Sequence, residues 1–315
     1  MMNITNRKNT PVKKQKLLIR QSVGDITFDI INHTLLVLLL IIFLYPLIYV
    51  ISCSFSSAMS IWSGEVFLFP KNFTLEGYRL TFENQDIWIG YANSLLYALV
   101  GTVISVSLNL ITAYPLSRID FMPRNGIMLL YVFCMYFSGG LIPTYLVVKN
   151  LGFIDKIWAL VIPGAVSTWN VILIRTYFMS TIPRELYEAA SIDGCSNTWF
   201  FLQCVLPLSK PIIAVIVLFT AVGFWNSYFS AMLYLTTRSK FPLQLILREI
   251  LIVLKSATSS QMIDVSQAAD LMESMEKSAT MRYSCIVIAS VPVIAIYPLI
   301  QKYFVKGVMV GALKT

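Results

Sequence analysis

The residue types that most often perform acid–base, nucleophilic or metal chemistry are scarce in this sequence. It contains a single histidine, His33, and five cysteines among 315 residues. No two cysteines form a CxxC pair, and the odd number of thiols predicts free cysteines rather than a disulfide framework or a zinc site. His33 stands at the start of an apolar run without partner residues, which is typical of an interfacial histidine. A catalytic or metal centre is therefore not expected.

A polar stretch between two long apolar runs has the spacing of a surface that binds another protein. It covers residues 185–211 and reads ELYEAASIDGCSNTWFFLQCVLPLSKP. Leu186, Ala189 and Ala190 stand at positions i, i+3 and i+4, which predicts a helix with one small apolar face. Gly194 suits the left-handed position that follows such a helix. Small side chains let another protein approach closely, so docking is one interpretation of this stretch.

A second short helix is expected after this glycine. Ser196 or Asn197 can cap its start, and Pro207 is expected to mark its end. The aromatic and aliphatic residues 199–202 within it could equally rest on lipid. Composition and spacing alone favour protein docking and lipid contact equally.

The composition of the whole chain indicates an integral membrane protein. Hydrophobic residues make up 57% of the sequence and charged residues only 13%, whereas a soluble domain is roughly one quarter charged. The net charge of +8 fits the excess of Lys and Arg on the inner side of membrane proteins. No basic stripe with interleaved aromatic residues occurs, so nucleic acid is not an expected partner.

Six apolar runs are each long enough to cross a hydrocarbon core of ~30 Å. They cover residues 35–53, 91–115, 127–148, 157–174, 211–235 and 283–300. The sequence thus predicts an all-α membrane protein in three parts. A basic segment occupies residues 1–32, a six-helix domain residues 33–304 and a short tail residues 305–315. Loops 54–90 and 236–280 are expected on the outer side.

The distribution of positive charge predicts the orientation in the plasma membrane. With both termini inside, the inner segments hold fourteen of the 24 lysines and arginines. Half of the ten outer ones lie in the long segment 236–280, where they mix with acidic residues. The positive-inside rule therefore places the N-terminus, the C-terminus and the polar loop 183–211 in the cytoplasm.

The polar loop resembles the EAA loop of the permease subunits of ABC importers. That pattern consists of Glu-Ala-Ala, three residues, a glycine, and a Leu-Pro pair about nine residues later. It is matched here by Glu188, Ala189, Ala190, Asp193, Gly194, Leu206 and Pro207. Cys195 stands where a small residue, often alanine, is usual.

The resemblance extends over about residues 25–315 and is closest to carbohydrate-importer permeases of the maltose-G type. Within that group the sequence is most similar to the lipoprotein-linked, complex-oligosaccharide branch of Gram-positive bacteria. The additional residues that carry it are Ile182-Pro183, Leu208-Ser209-Lys210-Pro211, Trp225-Asn226, Ala113 to Arg118 and Lys306-Gly307 to Gly311. The resemblance implies the type I ABC-importer permease fold.

The resemblance also implies a set of partners. They are a second, maltose-F-like permease, two ATPase subunits, an extracellular solute-binding lipoprotein, an oligosaccharide and membrane lipid. The seven EAA-loop residues would dock on an ATPase subunit, and the tail residues Lys306, Gly307 and Gly311 would enter the ATPase interface. The outer segment 236–280 would contact the binding protein. Because the sequence lacks GxxxxGK[ST], ATP and Mg²⁺ are expected on the partners and no cofactor on this chain.

The residues expected to contact the sugar are predicted from the chemistry of their side chains alone. Aromatic rings stack on the apolar faces of sugars, and amides hydrogen-bond their hydroxyl groups. The candidates within the apolar runs are Trp169, Asn170, Trp225, Asn226 and Tyr228. Packing is the alternative role of each, and in the maltose type the partner permease holds most of the sugar.

A second class of function stays open at the level of the sequence. A stand-alone channel, a secondary carrier or a membrane-embedded enzyme would also be apolar. A carrier normally has an ionisable group inside a span, and an enzyme needs clustered catalytic residues. The six apolar runs contain no charged residue, so a non-catalytic transport subunit is favoured.

Overall fold

The computed structural model describes residues 22–259 and 265–312. The regular secondary structure of these residues is helical, with one isolated β-bridge between Ser56 and Phe73. The helices are α1 (Val23–Ser54), α2 (Ala58–Trp62), α3 (Glu76–Glu83), α4 (Gln85–Ser117), α5 (Arg124–Tyr136), α6 (Leu141–Asn150), α7 (Trp158–Val161), α8 (Thr168–Thr181), α9 (Arg184–Ile192), α10 (Asn197–Phe200), α11 (Leu206–Leu208), α12 (Lys210–Trp225), α13 (Phe229–Tyr234), α14 (Leu243–Ser259) and α15 (Val265–Ala312). The chain divides into two compact units after residue 48, and the features below belong to the second.

The described residues include three helices that are long and apolar enough to cross a membrane. They are α1, α4 and residues 275–296 of α15, and the number rises to five if each bent helix pair forms one span. One pair is α5 with α6, bent by 112°, and the other is residues 197–208 with α12, bent by 81°. The all-helical fold class is thus as expected, while the count of six spans stays a prediction.

Three predicted spans are not continuous helices, which corrects their boundaries. The run 127–148 divides into α5 and α6. In the run 157–174, α7 ends at Val161 and α8 begins at Thr168, so Pro163 lies in this gap. In the run 211–235, three residues separate the end of α12 from the start of α13. Proline lacks an N–H group and clashes with the preceding helical turn, which explains the break at Pro163.

The segment 236–280, predicted as an outer loop, is largely helical. It contains α14 and the beginning of α15. Leu243, Ile246 and Leu247 of α14 are buried against Ile87 of α4, Trp225 of α12 and residues of α15. Apolar residues at this i, i+3, i+4 spacing form a helix face that requires a packing partner. The first part of α14 therefore belongs to the helical bundle, while the position of the segment on the outer side stays a prediction.

Helix α4 is the central element of the bundle, because it packs against α8, α12 and α14. Its contact with α12 is close at Gly101, where an added Cβ would lie 2.6 Å from the ring of Phe224. The absence of a side chain at Gly101 thus permits the close packing of the two helices. Thirty-three residues give α4 a length of about 50 Å, enough to reach both ends of the bundle.

A buried amide on α4 holds the gap between α7 and α8. Asn109 is fully buried, and its Nδ2 donates to the carbonyl oxygen of Ala165 at 3.0 Å and to that of Ser105 at 2.6 Å. Its Oδ1 accepts from the backbone N–H of Ser167 at 3.0 Å. Two backbone groups that the helix break leaves without helical partners are thereby satisfied. Such pairing is required wherever irregular backbone lies within a membrane bundle.

At the opposite end of the bundle, the start of α4 is fixed to the loop before α14. Tyr97 donates to the carbonyl oxygen of Lys240 at 2.8 Å. Asp155, between α6 and α7, binds the same loop, because its carboxylate accepts from Thr237 and from the ammonium group of Lys240. Arg238 pairs with Asp86 at 2.9 Å, close to the first residue of α4. Tyr97 and the last residue of α4 are about 30 Å apart along the helix, so α4 spans the distance between two polar ends.

Replacement of Asn109 by alanine is expected to destabilise the bundle. The carbonyl of Ala165 and the N–H of Ser167 would then be buried without partners, at a cost of about 2 kcal/mol. Thermal unfolding of the detergent-purified chain measures the loss. Ser107→Ala is the matched control, because Ser107 is exposed on the same helix. Equal melting temperatures for the two variants would contradict the role of Asn109.

Replacement of Asp155 by asparagine is expected to lower stability in a pH-dependent way. The hydrogen bond from Lys240, followed by those from Thr237, holds the pKa of the Asp155 carboxyl well below its ordinary value. The ionised carboxylate therefore stabilises the fold above the unfolded-state pKa of about 3.9, and this is lost as pH falls through the folded-state pKa. Asparagine also tolerates the φ of +58° at this position.

The Asp155→Asn variant should thus melt below the wild type at pH 7, and this difference should shrink progressively as the pH falls below about 4 towards the lowered folded-state pKa of Asp155. Its matched control is Lys156→Gln, a change at the exposed neighbouring residue. A difference between variant and wild type that stays constant across this pH range would show that the carboxylate charge is not what stabilises the loop.

Candidate docking site

Helix α9 ends in a Schellman motif, as its glycine predicts. Gly194 has a φ of +74°, and its N–H donates to the carbonyl oxygen of Ser191 at 3.1 Å. The N–H of Cys195 donates to the carbonyl oxygen of Ala190 at 2.9 Å. These two bonds satisfy the last carbonyls of the helix, and only glycine adopts the left-handed conformation between them without steric cost. The prediction of a helix that turns at Gly194 is confirmed.

The second helix of the loop starts as expected but does not end at the proline. Ser196 caps α10, and its hydroxyl accepts from the N–H of Trp199 at 3.3 Å. A π-helical turn at residues 201–205 follows, and Pro207 lies inside α11 rather than after it. The bond from Leu206 back to Phe201 spans five residues, so the helix register has shifted before the proline is reached. The break comes at Ser209 instead.

The predicted small apolar face of α9 is divided between the core and the surface. Ala190 is half-buried and packs against the core cluster formed by α4, α8, α10 and α12. Ala189 is exposed, and Leu186 is 37% exposed. Adjacent helical residues point about 100° apart, so the two alanines have different neighbours. Leu206 also packs against the core, whereas Pro207 is exposed.

The polar residues of the predicted docking surface remain accessible. Glu188, Asp193 and Gly194 are exposed, and an added Cβ at Gly194 would meet no atom of this chain within 4 Å. Glu188 forms an exposed ion pair with Arg184 one turn earlier, at 2.8 Å. Ile192, at the end of α9, is 87% exposed. An exposed face of small, acidic and apolar side chains is available to a partner along α9.

Arg118 connects α4 to α9 and α10 of the polar loop 183–211, hereafter the docking loop. The sequence alone did not indicate Arg118 as a site residue. Its guanidinium group binds both carboxylate oxygens of Asp120 at 2.8 Å. Nη1 donates to the hydroxyl of Tyr114 at 3.1 Å and to Oδ1 of Asn197 at 3.4 Å. The guanidinium carbon lies 3.3 Å from the centroid of the Tyr187 ring on α9. The one feature of the sequence that could have indicated Arg118 is the segment Ala113 to Arg118, which contributes to the resemblance to carbohydrate-importer permeases.

Hydrogen bonds around Arg118 lower the pKa values of Asp120 and Tyr187. The hydrogen bonds from Arg118 are the main cause that lowers the pKa of the Asp120 carboxyl below its ordinary value. A hydrogen bond with Ser191, and then one with Arg118, lowers the pKa of the Tyr187 hydroxyl. Asp120 is thus ionised throughout the neutral range, and the pair remains charged.

A cavity of about 540 Å³ separates part of α9 from the bundle. It opens between the C-terminal end of α4, the C-terminal end of α8 and the start of α9. Apolar side chains such as Phe178 and Val205 line its inner part, and Arg118, Asp120 and Glu188 line its polar part. The contacts of α9 with the bundle are consequently restricted to one side of the cavity.

The five candidate sugar-binding residues are not gathered in one place by the described structure. Trp225 is buried, and its indole N–H donates to the carbonyl oxygen of Ala289 at 3.1 Å. Asn170 is buried in the first turn of α8, while Trp169 beside it is 58% exposed. Asn226 and Tyr228 are exposed at the break after α12. Their role in sugar binding stays a prediction.

The tail residues predicted to contact the ATPase subunits continue the last helix. Lys306, Gly307 and Gly311 lie in the final turns of α15, which ends at Ala312. Residues 313–315 and the basic residues 1–21 lie outside the described part of the chain. Within the described residues, no three His, Cys, Asp or Glu side chains are grouped to hold a metal ion.

Comparison with known proteins gives consistent relatives. The family model described as "Binding-protein-dependent transport system inner membrane component" matches residues 87–310. The polygalacturonan/rhamnogalacturonan transport system permease protein YtcP of Bacillus subtilis is 40% identical, over 91% of this chain and 98% of that protein. Protein LplC of the same organism is 39% identical, over 91% of this chain and 95% of that protein.

A solved structure has the same fold. It is described as a bacterial ABC transporter involved in the import of the acidic polysaccharide alginate, and the superposition has a TM-score of 0.79. The two chains are 33% identical, and the match covers 90% of this chain and 99% of the other.

The opposite surroundings of the two alanines predict opposite effects of enlargement. Ala190→Leu inserts three carbon atoms against the core and should lower the free energy of unfolding by about 1–3 kcal/mol. Ala189→Leu, on the exposed side, should change it by less than about 0.5 kcal/mol. Thermal unfolding of the purified chain compares them. A larger loss for Ala189→Leu would mean that α9 is rotated relative to its described position.

Proposed function

The chain belongs to the family of binding-protein-dependent transport system inner membrane components, and from this premise we propose how its docking loop drives transport. The chain is the permease subunit of an ABC importer of the sugar type. The observation that carries the proposal is the exposed Glu188, Ala189 and Gly194 surface at one end of α4. An ATPase subunit docks there and moves α9 when it binds and hydrolyses ATP.

The two polar ends of the bundle favour one orientation of the chain across the membrane. The docking loop lies at the C-terminal end of α4, and the loop before α14 is fixed to its N-terminal end. If the docking loop faces the cytoplasm, as the charge distribution predicts, the loop before α14 faces outside. The plasma membrane then separates an ATPase-binding end from an end that receives sugar. Both chain termini lie in the cytoplasm in this orientation.

The partners are inferred from the family and from the lack of an ATP-binding motif in this sequence. The sequence contains no GxxxxGK[ST] motif, so ATP and Mg²⁺ bind to two separate ATPase subunits. A second permease of the maltose-F type completes the translocation path, and an extracellular lipoprotein delivers the solute. Lys306, Gly307 and Gly311, at the end of α15, contribute to the ATPase interface in this assembly.

The cargo is an oligosaccharide. The name of YtcP refers to polygalacturonan and rhamnogalacturonan, and that of the solved transporter to the acidic polysaccharide alginate. Trp169, Asn226 and Tyr228 are exposed residues near helix breaks, where stacking and amide groups could contact a sugar. Their contribution is smaller than that of the second permease and the binding protein.

A pair of isosteric substitutions at Gly194 tests the docking surface. Gly194→Asn and Gly194→Asp introduce side chains of equal size, and asparagine and aspartate both tolerate a positive φ. Because an added Cβ meets nothing within this chain, the fold should survive both. The aspartate adds a negative charge to a surface that already carries Glu188 and Asp193, and an ATPase cleft must then bury it.

We expect Gly194→Asp to reduce ATPase co-purification and sugar uptake by about tenfold or more relative to Gly194→Asn, since burying an unpaired charge costs at least 1.4 kcal/mol. The measurement is sugar uptake by proteoliposomes that contain the complete transporter, together with the amount of ATPase subunit retained on the tagged chain. Normal retention and uptake in the aspartate variant would overturn the docking assignment. Uptake by this chain alone, without ATP or partners, would overturn the importer function itself.

A further inference from the structure

Arg118 occupies a position from which it can transmit movement between the docking loop and α4. It is the residue that follows α4, and only 13% of its side chain is exposed. Its guanidinium group is shared by Asp120, Tyr114, Asn197 and Tyr187, so that one planar group contacts α4, α9 and α10. All three guanidinium nitrogens and one face of the group are thus engaged.

The other attachments of α9 to the bundle are few. None of its nine residues is fully buried. Tyr187 and Ala190 are the two that pack against the core cluster, and the cavity of about 540 Å³ lies beside them. The walls of this cavity do not contact one another, so packing forces are not transmitted directly from wall to wall. Displacement of α9 must therefore reach the bundle through the side chains at Tyr187 and Ala190 or through the chain itself.

These two contacts differ in what they can transmit. Ala190 presents a single methyl group to the core and can slide over it. Tyr187 has its ring between the Arg118 guanidinium at 3.3 Å and the Phe200 ring at 5.5 Å, in an edge-to-face arrangement. A ring enclosed by a cation and a second ring is attracted on both sides. Tyr187 therefore moves together with Arg118 and with α10.

The end of α4 is itself held so that it follows Arg118. The carbonyl oxygen of Arg118 accepts from Nη1 of Arg124 at 3.1 Å, and that of Leu116 accepts from Nε of Arg175 at 2.9 Å. Arginine side chains on the last carbonyls compensate the negative end of the helix dipole. A displacement of the Arg118 guanidinium thus acts on a capped helix end rather than on a frayed segment.

We propose that the stack of Arg118 on Tyr187, fixed by the bidentate pair with Asp120, is the linkage that converts movement of α9 into movement of α4. The proposal rests on the docking role of α9 stated above and assigns Arg118 as its positioning residue. An arginine is needed because its planar fork binds a carboxylate through two bonds while its face stacks on a ring. The ammonium group of lysine can do only one of these at a time.

The test uses the complete transporter in proteoliposomes and compares sugar transported with ATP hydrolysed. Arg118→Lys keeps the charge and loses the stack and the fork, and Tyr187→Leu loses the ring. Each should reduce the ratio of transport to hydrolysis by about tenfold, which corresponds to the ~1.4 kcal/mol expected of a partly desolvated cation–π contact. Tyr187→Phe keeps the ring and should stay within about twofold of the wild type.

The combination Arg118→Lys with Tyr187→Leu should be no worse than either single variant, because both remove the same contact. Arg79→Lys is the matched control, since Arg79 forms an exposed ion pair with Glu83 far from the docking loop. ATPase subunits should co-purify normally with all variants.

Two outcomes would overturn the proposal. If Arg118→Lys lowers assembly, hydrolysis and transport in equal proportion, the transport-to-hydrolysis ratio stays unchanged and Arg118 only supports the fold. If Tyr187→Phe is as defective as Tyr187→Leu, the hydroxyl group and not the stacked ring carries the effect. Absence of ATP-dependent uptake by the wild-type transporter would instead reject the proposed function, so the two failures are distinguishable.

Discussion

The hydrogen bonds of Asn109 permit the irregular architecture on which the docking loop depends. Backbone that leaves a helix within a membrane bundle exposes polar groups that lipid cannot satisfy. The Asn109 amide pairs with Ala165 and Ser167 in the gap between α7 and α8. This fixes the start of α8, and α8 in turn leads within three residues to α9. One buried side chain on α4 therefore determines where the docking helix begins.

Helix α4 also relates the two polar ends of the bundle. At its start, Asp86, Asn93 and Tyr97 bind the loop before α14. At its end, Arg118 binds Asp120 and the docking loop. The interactions at the two ends are ionic or aromatic, while the middle of the helix is packed by small residues. A transport subunit requires such a connection, because its energy source and its cargo are on opposite sides of the membrane.

Several features of the fold and site were predictable because each depends on local chemistry. Left-handed backbone at Gly194 and the capping of α10 by Ser196 involve residues at most five positions apart. The helical nature of α14 was also readable, since Leu243, Ile246 and Leu247 follow helical spacing, but charged residues in the segment 236–280 suggested a loop. The π-helical turn before Pro207 was not predictable, because its hydrogen-bond register depends on packing against α4 and α12.

The sequence by itself determined the class of protein, the place of the docking loop and the turn at Gly194. These properties arise from hydrophobic run lengths, charge distribution and the steric freedom of glycine, all of which are local. Only the tertiary structure decided that Ala190 faces the core while Ala189 is exposed. It also decided that Arg118 meets Tyr187, which is sixty-nine positions later in the chain. Contacts between distant segments depend on how whole helices pack, and that information is spread over every residue of the bundle.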